Sequence, residues 1–145
     1  MADEVATLQF GAQFAQKLQP GLTIYLHGDL GVGKTTFTRA VLLGLGHTGK
    51  VKSPTYNLLE SYALAKFNLY HFDLYRFTDE EEWHHAGFRE YFNADSVCMI
   101  EWPEKAQHVL PAADLDISLS HLPQGRMLKI QANSVSAKQM LTEKI

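Results

Sequence analysis

The sequence has very little cysteine and no long hydrophobic run, and both absences exclude classes of protein. Cys98 is the only cysteine among 145 residues, so an internal disulfide is impossible. Neither a Cys/Cys nor a Cys/His spacing of the zinc type is present. No apolar stretch approaches the roughly 20 residues that span a bilayer, and residues 1–4 are acidic where a signal peptide is basic. We therefore expect a cytoplasmic protein with no part in a membrane.

Charge of either sign is also limited. The 13 basic and 16 acidic side chains leave a net charge of -3 with histidine neutral, which argues against a protein that holds nucleic acid by bulk electrostatics alone. Hydrophobic residues make up 46% and charged residues 20% of the chain, as in an ordinary folded domain. Since neither an internal repeat nor a flexible linker interrupts the chain, residues 1–145 are expected to form one domain.

Helical and strand-like patterns of apolar residues alternate along the chain. Two of the strand-like stretches, 56–62 and 67–72, follow each other closely enough to form a hairpin. Interleaved helices and strands are typical of the α/β class. Helices are expected at 7–18, from 34 to about 45, from 79 and at 136–145, and strands at 22–26, 56–62, 67–72, 97–100, 115–119 and 127–130.

The strongest motif follows the first predicted strand. Gly28, Gly33, Lys34 and Thr35 match the phosphate-binding pattern G-x-x-x-x-G-K-[ST] in full, between a predicted strand and a predicted helix. Glycines let the backbone turn its N–H groups toward phosphate oxygens, and the N-terminus of the helix favours an anion. The lysine adds a positive charge at the β- and γ-phosphates, and the threonine hydroxyl is a ligand for Mg²⁺. The motif predicts a single P-loop NTPase-like domain, a three-layer sandwich around a central mixed, largely parallel sheet.

ATP or ADP, together with Mg²⁺, is the ligand that this motif predicts. Adenine is the expected base because the chain has no Asn-Lys-x-Asp segment of the kind that reads guanine. The nucleotide-binding residues expected in and after the loop are Asp29, Leu30, Gly31, Val32, Gly33, Lys34, Thr35 and Thr36.

A P-loop ATPase also needs a carboxylate near the Mg²⁺ ion and a group that orients the attacking water. Two strand-like runs end in an acid, the first at Asp73 and the second at Glu101. Either can be the acid on the metal side, and the residue pattern leaves that choice open. Thr55, in the polar loop after the P-loop helix, is the candidate hydroxyl that senses the γ-phosphate.

Two side chains close to these acids have more than one interpretation. Trp102 follows Glu101 directly, and it either packs over the site, forms a surface for a partner, or is an ordinary core aromatic. His71 and Asp73 are of metal-ligand type, but two residues do not build a metal site. We therefore assign His71 to packing or to positioning Asp73.

Four segments stand in a distinctive order and spacing in about the first three quarters of the chain. They are Gly-Asp-Leu-Gly-Val-Gly-Lys-Thr-Thr at 28–36, Ser-Pro-Thr-Tyr at 53–56, His-Phe-Asp-Leu-Tyr-Arg at 71–76 and Ile-Glu-Trp-Pro-Glu at 100–104. Together they resemble the bacterial TsaE family, the small P-loop ATPases of tRNA threonylcarbamoyl-adenosine biosynthesis. Residues from Pro111 onward add little to the resemblance.

The resemblance implies an accessory ATPase that acts with a threonylcarbamoyl transferase and its inactive paralogue. Such a protein does not perform the transfer itself and reaches tRNA only indirectly, through those partners. We expect its hydrolysis of ATP to be slow until the partners stimulate it. The resemblance gives roles to the following residues: Lys34 and Thr35 at the phosphates and the metal, Asp73 at the Mg²⁺ and hydrolysis site, Glu101 and Trp102 at the nucleotide site, where both are needed for activity, and Thr55 as the switch threonine.

Two other functions share the phosphate loop. A small-molecule or nucleoside kinase needs an acceptor pocket and usually an arginine-rich lid, and the sequence has no arginine cluster. A non-catalytic switch needs ATP only to set the conformation of a surface that a partner recognises. Substitution of Glu101 separates the switch from a protein whose action depends on hydrolysis.

Overall fold

The computed structural model describes residues 4–29, 33–51, 54 and 58–142. Leu30, Gly31, Val32 and Thr55, all expected above to contribute to the site, lie outside the described residues. The described helices are α1 (Glu4–Lys17), α2 (Lys34–Gly44), α3 (Glu80–His85) and α4 (Val135–Thr142), with short 3-10 helices at Phe88–Tyr91 and Pro103–Ala106. The described strands are β1 (Thr23–His27), β2 (Leu59–Ala63), β3 (Asn68–Asp73), β4 (Ser96–Glu101), β5 (Leu115–His121) and β6 (Arg126–Ala132).

The described strands form a six-stranded sheet in the order β2-β3-β4-β1-β5-β6. Strands β3, β4, β1 and β5 run parallel to one another, and β2 and β6 pair antiparallel at the two edges. All residues of β4 are buried, as expected for a central parallel strand that is covered on both faces. The mixed, largely parallel sheet and the β2–β3 hairpin predicted from the sequence are both confirmed.

Helices cover both faces of the sheet. On one face, α1, α2 and α4 bury side chains such as Phe14, Phe37 and Met140 against β1 and its neighbours. On the other face, α3 and the two 3-10 helices enclose an aromatic cluster built around Phe72 and Trp83. The result is the three-layer α/β arrangement that the motif predicted.

The position of α2 depends on a close contact with α1. A Cβ atom on Gly11 would clash with the Cβ of Ala40, and one on Gly44 would lie 2.8 Å from the Cα of Ala12. Small residues at these points let the two helices approach closely. This contact, together with the burial of Phe37, holds α2 so that its first turn meets the carboxyl end of β1.

Some details of the elements differ from expectation. Helix α3 begins at Glu80, with the side chain of Asp79 accepting a hydrogen bond from the Glu81 N–H at 2.9 Å. Strand β5 continues to His121, two residues beyond its predicted end. Neither 3-10 helix was predicted. Within the part of the chain that the structure describes, every helix is too short or too polar to cross a bilayer.

Candidate functional site

The P-loop turn leads from β1 directly into α2. Gly33 caps α2 with φ of 106°, a left-handed conformation that a residue with a Cβ adopts only under strain. Among the described residues, the first turn of α2 has no acidic side chain, and Gly33 offers no side chain to cap the helix. The N–H groups at a helix N-terminus suit an anion such as phosphate. Thr35 and Thr36 lie in this turn and are half-buried.

Lys34 is buried and points back toward the loop. Its Nζ donates a hydrogen bond to the Gly28 carbonyl oxygen at 2.6 Å. The same amine lies 3.8 Å from the ring centroid of Trp102, a cation–π contact. Burial lowers the pKa of the Lys34 amine below its ordinary value, while the carboxylates of Glu101 and Asp73 oppose that shift. The Lys34 amine therefore lies between the Gly28 carbonyl and the Trp102 ring, close enough to Glu101 and Asp73 for their charges to act on it.

The two candidate acids lie side by side at the carboxyl ends of neighbouring strands. Asp73 ends β3 and Glu101 ends β4, and the two residues are partners in the register of these strands. Glu101 is also the register partner of Leu26 in β1, which places it next to the strand that leads into the P-loop. Both carboxylates are buried, at 7% and 3% exposed. Sequence reasoning treated them as alternatives, and the sheet brings both to one site.

The environment of Asp73 disfavours its charge. Burial raises the pKa of the Asp73 carboxyl above its ordinary value, and the Glu101 carboxylate raises it further. A hydrogen bond from the Tyr75 N–H, at 3.0 Å from Oδ1, and the Lys34 amine lower the same pKa without cancelling the rise. A cation beside these two carboxylates would relieve this repulsion.

His71 binds the other acid. Its Nε2 lies 2.6 Å from Oε2 of Glu101, and the histidine is fully buried. The prediction that His71 packs in the interior is therefore confirmed, but the assignment to positioning Asp73 is wrong. Residues 71 and 73 face the same way along β3, yet the neighbouring strand brings the Glu101 carboxylate within hydrogen-bond distance of the imidazole. Nδ1 of His71 has no hydrogen-bond partner among the described residues.

Trp102 packs over the site and is not an ordinary core aromatic. Its backbone has φ of 59°, a left-handed conformation that is rare for a large residue. This turn, directly after β4, places the half-buried indole against the Lys34 amine on one side. The Tyr75 ring lies 5.0 Å from it, centroid to centroid. Backbone strain of this kind is concentrated at functional sites.

Lys34, Asp73, Glu101 and Trp102, all singled out from the sequence, are thus brought together. Asp29 is exposed, but its charge acts on the Lys34 amine, so it borders the same site. The described residues contain no group of three or more His, Cys, Asp and Glu side chains that holds a metal by itself. The two carboxylates of Asp73 and Glu101 suit Mg²⁺ instead, because this ion is usually bound by one or two carboxylates together with substrate phosphates.

Sequence reasoning missed two residues of the site. Tyr75 donates its N–H to Asp73 and packs on Trp102, and its place two residues after Asp73 within a motif segment could have indicated this. Arg126 begins β6 on the opposite side of the P-loop strand, with its guanidinium beside Gly33. Nothing in the local sequence around Arg126 indicates this position, because it depends on the strand order.

Comparison with known proteins agrees with this geometry. Residues 1–128 match the family model described as "Threonylcarbamoyl adenosine biosynthesis protein TsaE". The chain belongs to the TsaE family.

Curated TsaE proteins support the assignment over nearly the whole chain. The tRNA threonylcarbamoyladenosine biosynthesis protein TsaE of Haemophilus influenzae is 46% identical over 145 positions, which cover 97% of this chain and 92% of that protein. The TsaE protein of Bacillus subtilis is 42% identical over 112 positions, which cover 77% of this chain and 68% of that protein. Membership of the TsaE family assigns the chain to the biosynthesis of threonylcarbamoyladenosine in tRNA.

A solved structure has the same fold. The crystal structure of Bacillus subtilis YdiB superposes with a TM-score of 0.83 and 29% sequence identity, covering 97% of this chain and 88% of that one. The described strand order and the helices on both faces are therefore those of a known α/β protein.

Proposed function

We propose that this TsaE chain binds ATP with Mg²⁺ and hydrolyses it slowly, as an accessory ATPase of tRNA threonylcarbamoylation in the cytoplasm. One observation carries the proposal. A buried lysine at the N-terminus of α2 faces two buried carboxylates at adjacent strand ends. Such a set suits a triphosphate and a magnesium ion, because the lysine neutralises phosphate and the carboxylates attract the cation.

Each residue has a separate part in this proposal. Lys34 neutralises charge on the β- and γ-phosphates, and the N–H groups at the start of α2 bind phosphate oxygens. Thr35 and Asp73 would hold the Mg²⁺, which would supply Lewis-acid stabilisation of the phosphate charge. Glu101, oriented by His71, would serve the water or the water shell of the metal. The sequence motif assigns residues 29–33 and Thr36 to the phosphates, and the proposal adds Thr55 at the γ-phosphate and Trp102 at the nucleotide.

The same proposal places a protein complex around the chain. A net charge of -3 makes it a poor tRNA binder by itself, which suits a protein that docks on a threonylcarbamoyl transferase and its inactive paralogue. The transfer chemistry belongs to that complex. Hydrolysis by this chain would then be coupled to the cycle of its partners.

The direct test is the rate of Mg²⁺-dependent ATP hydrolysis by the purified chain, alone and after addition of the transferase and its paralogue. We expect a low basal rate that the partners raise. Lys34→Ala should abolish hydrolysis and weaken ADP binding by about 10- to 100-fold, since it removes bonds to charged phosphates. Lys66→Ala, an exposed lysine of the β2–β3 turn, is the matched control and should change neither.

Three results would contradict the proposal. Rapid hydrolysis without partners would contradict the proposed coupling to the partners. Parental affinity of Lys34→Ala for ADP would contradict the proposed nucleotide site. No stimulation by partners that are shown to be active and bound would favour the nucleotide switch instead.

The contact between Lys34 and Trp102 gives a second prediction. If the Lys34 amine moves from the indole toward phosphate when nucleotide binds, the fluorescence of Trp102 should change. The chain contains two tryptophans, so Trp83→Phe leaves Trp102 as the only one. Adding Mg²⁺ and ADP should alter emission in this variant, whereas Trp102→Phe, which keeps the fully buried Trp83, should show no response.

A further inference from the structure

An arginine from the far edge of the sheet lies against the P-loop. If Gly33 carried a Cβ, that atom would lie 3.2 Å from Nη1, 3.4 Å from Cζ and 3.6 Å from Nε of Arg126. Three atoms of the guanidinium at nearly the same distance mean that one of its faces is turned toward the place that a Cβ on Gly33 would occupy. Arg126 is only half-exposed, so this contact removes much of a long side chain from solvent.

The sheet order places this arginine opposite the two acids. Starting from β1, Asp73 is two strands away on one side, in β3, and Arg126 is two strands away on the other, in β6. Neighbouring strands are about 4.8 Å apart, so each residue's strand lies roughly 10 Å from the strand that leads into the P-loop. Arg126 pairs in register with His121, the last residue of β5, so it lies at the same edge of the sheet as the P-loop.

The direction of a bound nucleotide follows from the acids. This step rests on the proposed function, in which the metal and the terminal phosphate lie beside Asp73 and Glu101. The phosphate chain then crosses the start of α2 and leaves on the side of β5 and β6. The ribose and the base of the nucleotide would therefore lie next to the Arg126 guanidinium.

We propose that Arg126 binds the nucleoside end of the nucleotide, with its guanidinium as a flat wall beside the P-loop. A planar guanidinium stacks on a purine face and also donates hydrogen bonds in a fixed direction. A lysine at the same position would keep the charge and lose the plane. The residue holds the nucleotide in place and takes no part in hydrolysis.

The test compares ADP with inorganic pyrophosphate, which carries two phosphates and no nucleoside. Dissociation constants are measured by calorimetry with Mg²⁺ for the parent chain and for Arg126→Ala, Arg126→Gln and Arg126→Lys. We expect Arg126→Ala and Arg126→Gln to bind ADP about tenfold more weakly, while affinity for pyrophosphate changes less than about twofold. Arg126→Lys should restore only part of the loss.

The control is Arg89→Ala, an exposed arginine in the 3-10 helix that follows α3, which should bind both ligands as the parent does. In steady-state hydrolysis, Arg126→Ala should raise KM for ATP and leave kcat within about twofold.

Four results would overturn the inference. Equal losses for ADP and pyrophosphate would mean that Arg126 acts as a charge on the phosphates, and no loss for either would mean that it does not touch the nucleotide. A parent chain that binds neither ligand would overturn the proposed function and this inference with it. A parent that binds both, with variants that lose only pyrophosphate, would overturn the inference and leave the proposed function intact.

Discussion

Asp73→Asn is expected to lower Mg²⁺-dependent ATP hydrolysis by about a hundredfold or more, without a loss of stability in the nucleotide-free protein. The activity falls because an amide is a poor ligand for Mg²⁺ where a carboxylate is required. Stability is kept because Asn retains an oxygen that accepts the Tyr75 N–H, the hydrogen bond that Asp73 makes at 3.0 Å.

The sign of the stability change follows from the raised pKa of Asp73. Burial and the Glu101 carboxylate hold that pKa above its value in the unfolded chain. A group of this kind stabilises the fold when it is protonated, below its unfolded-state pKa, and the contribution is lost as pH rises through the folded-state pKa. At neutral pH the ionised carboxylate therefore opposes folding, and Asn removes this cost.

The measurement is thermal unfolding without Mg²⁺ at about pH 4 and at neutral pH, together with hydrolysis as a function of Mg²⁺ concentration. The unfolding midpoint of Asp73→Asn minus that of the parent should be larger at neutral pH than at about pH 4. Asp114→Asn is the matched control, because that carboxylate also accepts a backbone N–H, from Thr23 at 2.8 Å, but at the other end of β1. Parental hydrolysis in Asp73→Asn, or a lower midpoint at neutral pH, would contradict the assignment.

The sequence predicted those site residues that stand at the end of a strand or within the P-loop motif. Asp73 and Glu101 each follow a strand-like run of residues, so both could be placed at the end of a strand. The glycines and the lysine of the P-loop form a local pattern that needs no knowledge of the rest of the fold. Each of these residues was predicted because its place, at a strand end or in the loop, can be recognised from its immediate neighbours in the chain.

Contacts between strands could not be predicted in the same way. The sequence offered packing or the positioning of Asp73, two residues further on, as the roles of His71. Its actual partner, Glu101, lies on β4, and that pairing depends on the register of two parallel strands. Arg126 was missed for the same reason, because only the order of β1, β5 and β6 brings it near Gly33. The left-handed backbone at Trp102 had no sequence signal, since no glycine or asparagine marks it.

The second large effect is expected at Glu101, where two substitutions separate charge from packing. Glu101→Gln should lower hydrolysis by about a hundredfold, because the carboxylate that serves the water or the metal is lost. Affinity for ADP should stay within a few-fold of the parent, since Lys34 and the start of α2 are unchanged. A pure nucleotide switch would instead keep its effect on the partners in this variant.

The buried hydrogen bond between Glu101 and His71 predicts that Glu101→Ala, unlike Glu101→Gln, also lowers the stability of the protein. The Gln amide offers both a donor and an acceptor, so it can replace the carboxylate in the hydrogen bond that His71 Nε2 makes at 2.6 Å. Ala leaves that nitrogen buried with no partner, and Nδ1 already has none among the described residues. We therefore expect Glu101→Ala to unfold about 1–3 kcal/mol more easily than Glu101→Gln.

Denaturant unfolding and hydrolysis, measured on the same preparations, test both effects. Glu81→Gln, an exposed glutamate of α3, is the control and should match the parent in both measurements. Equal stability of the Ala and Gln variants would show that the hydrogen bond to His71 contributes nothing to the fold. Parental hydrolysis in Glu101→Gln would leave Asp73 as the acid on which turnover depends. If both single variants lose hydrolysis and keep ADP, the two carboxylates act together, as their pairing across β3 and β4 suggests.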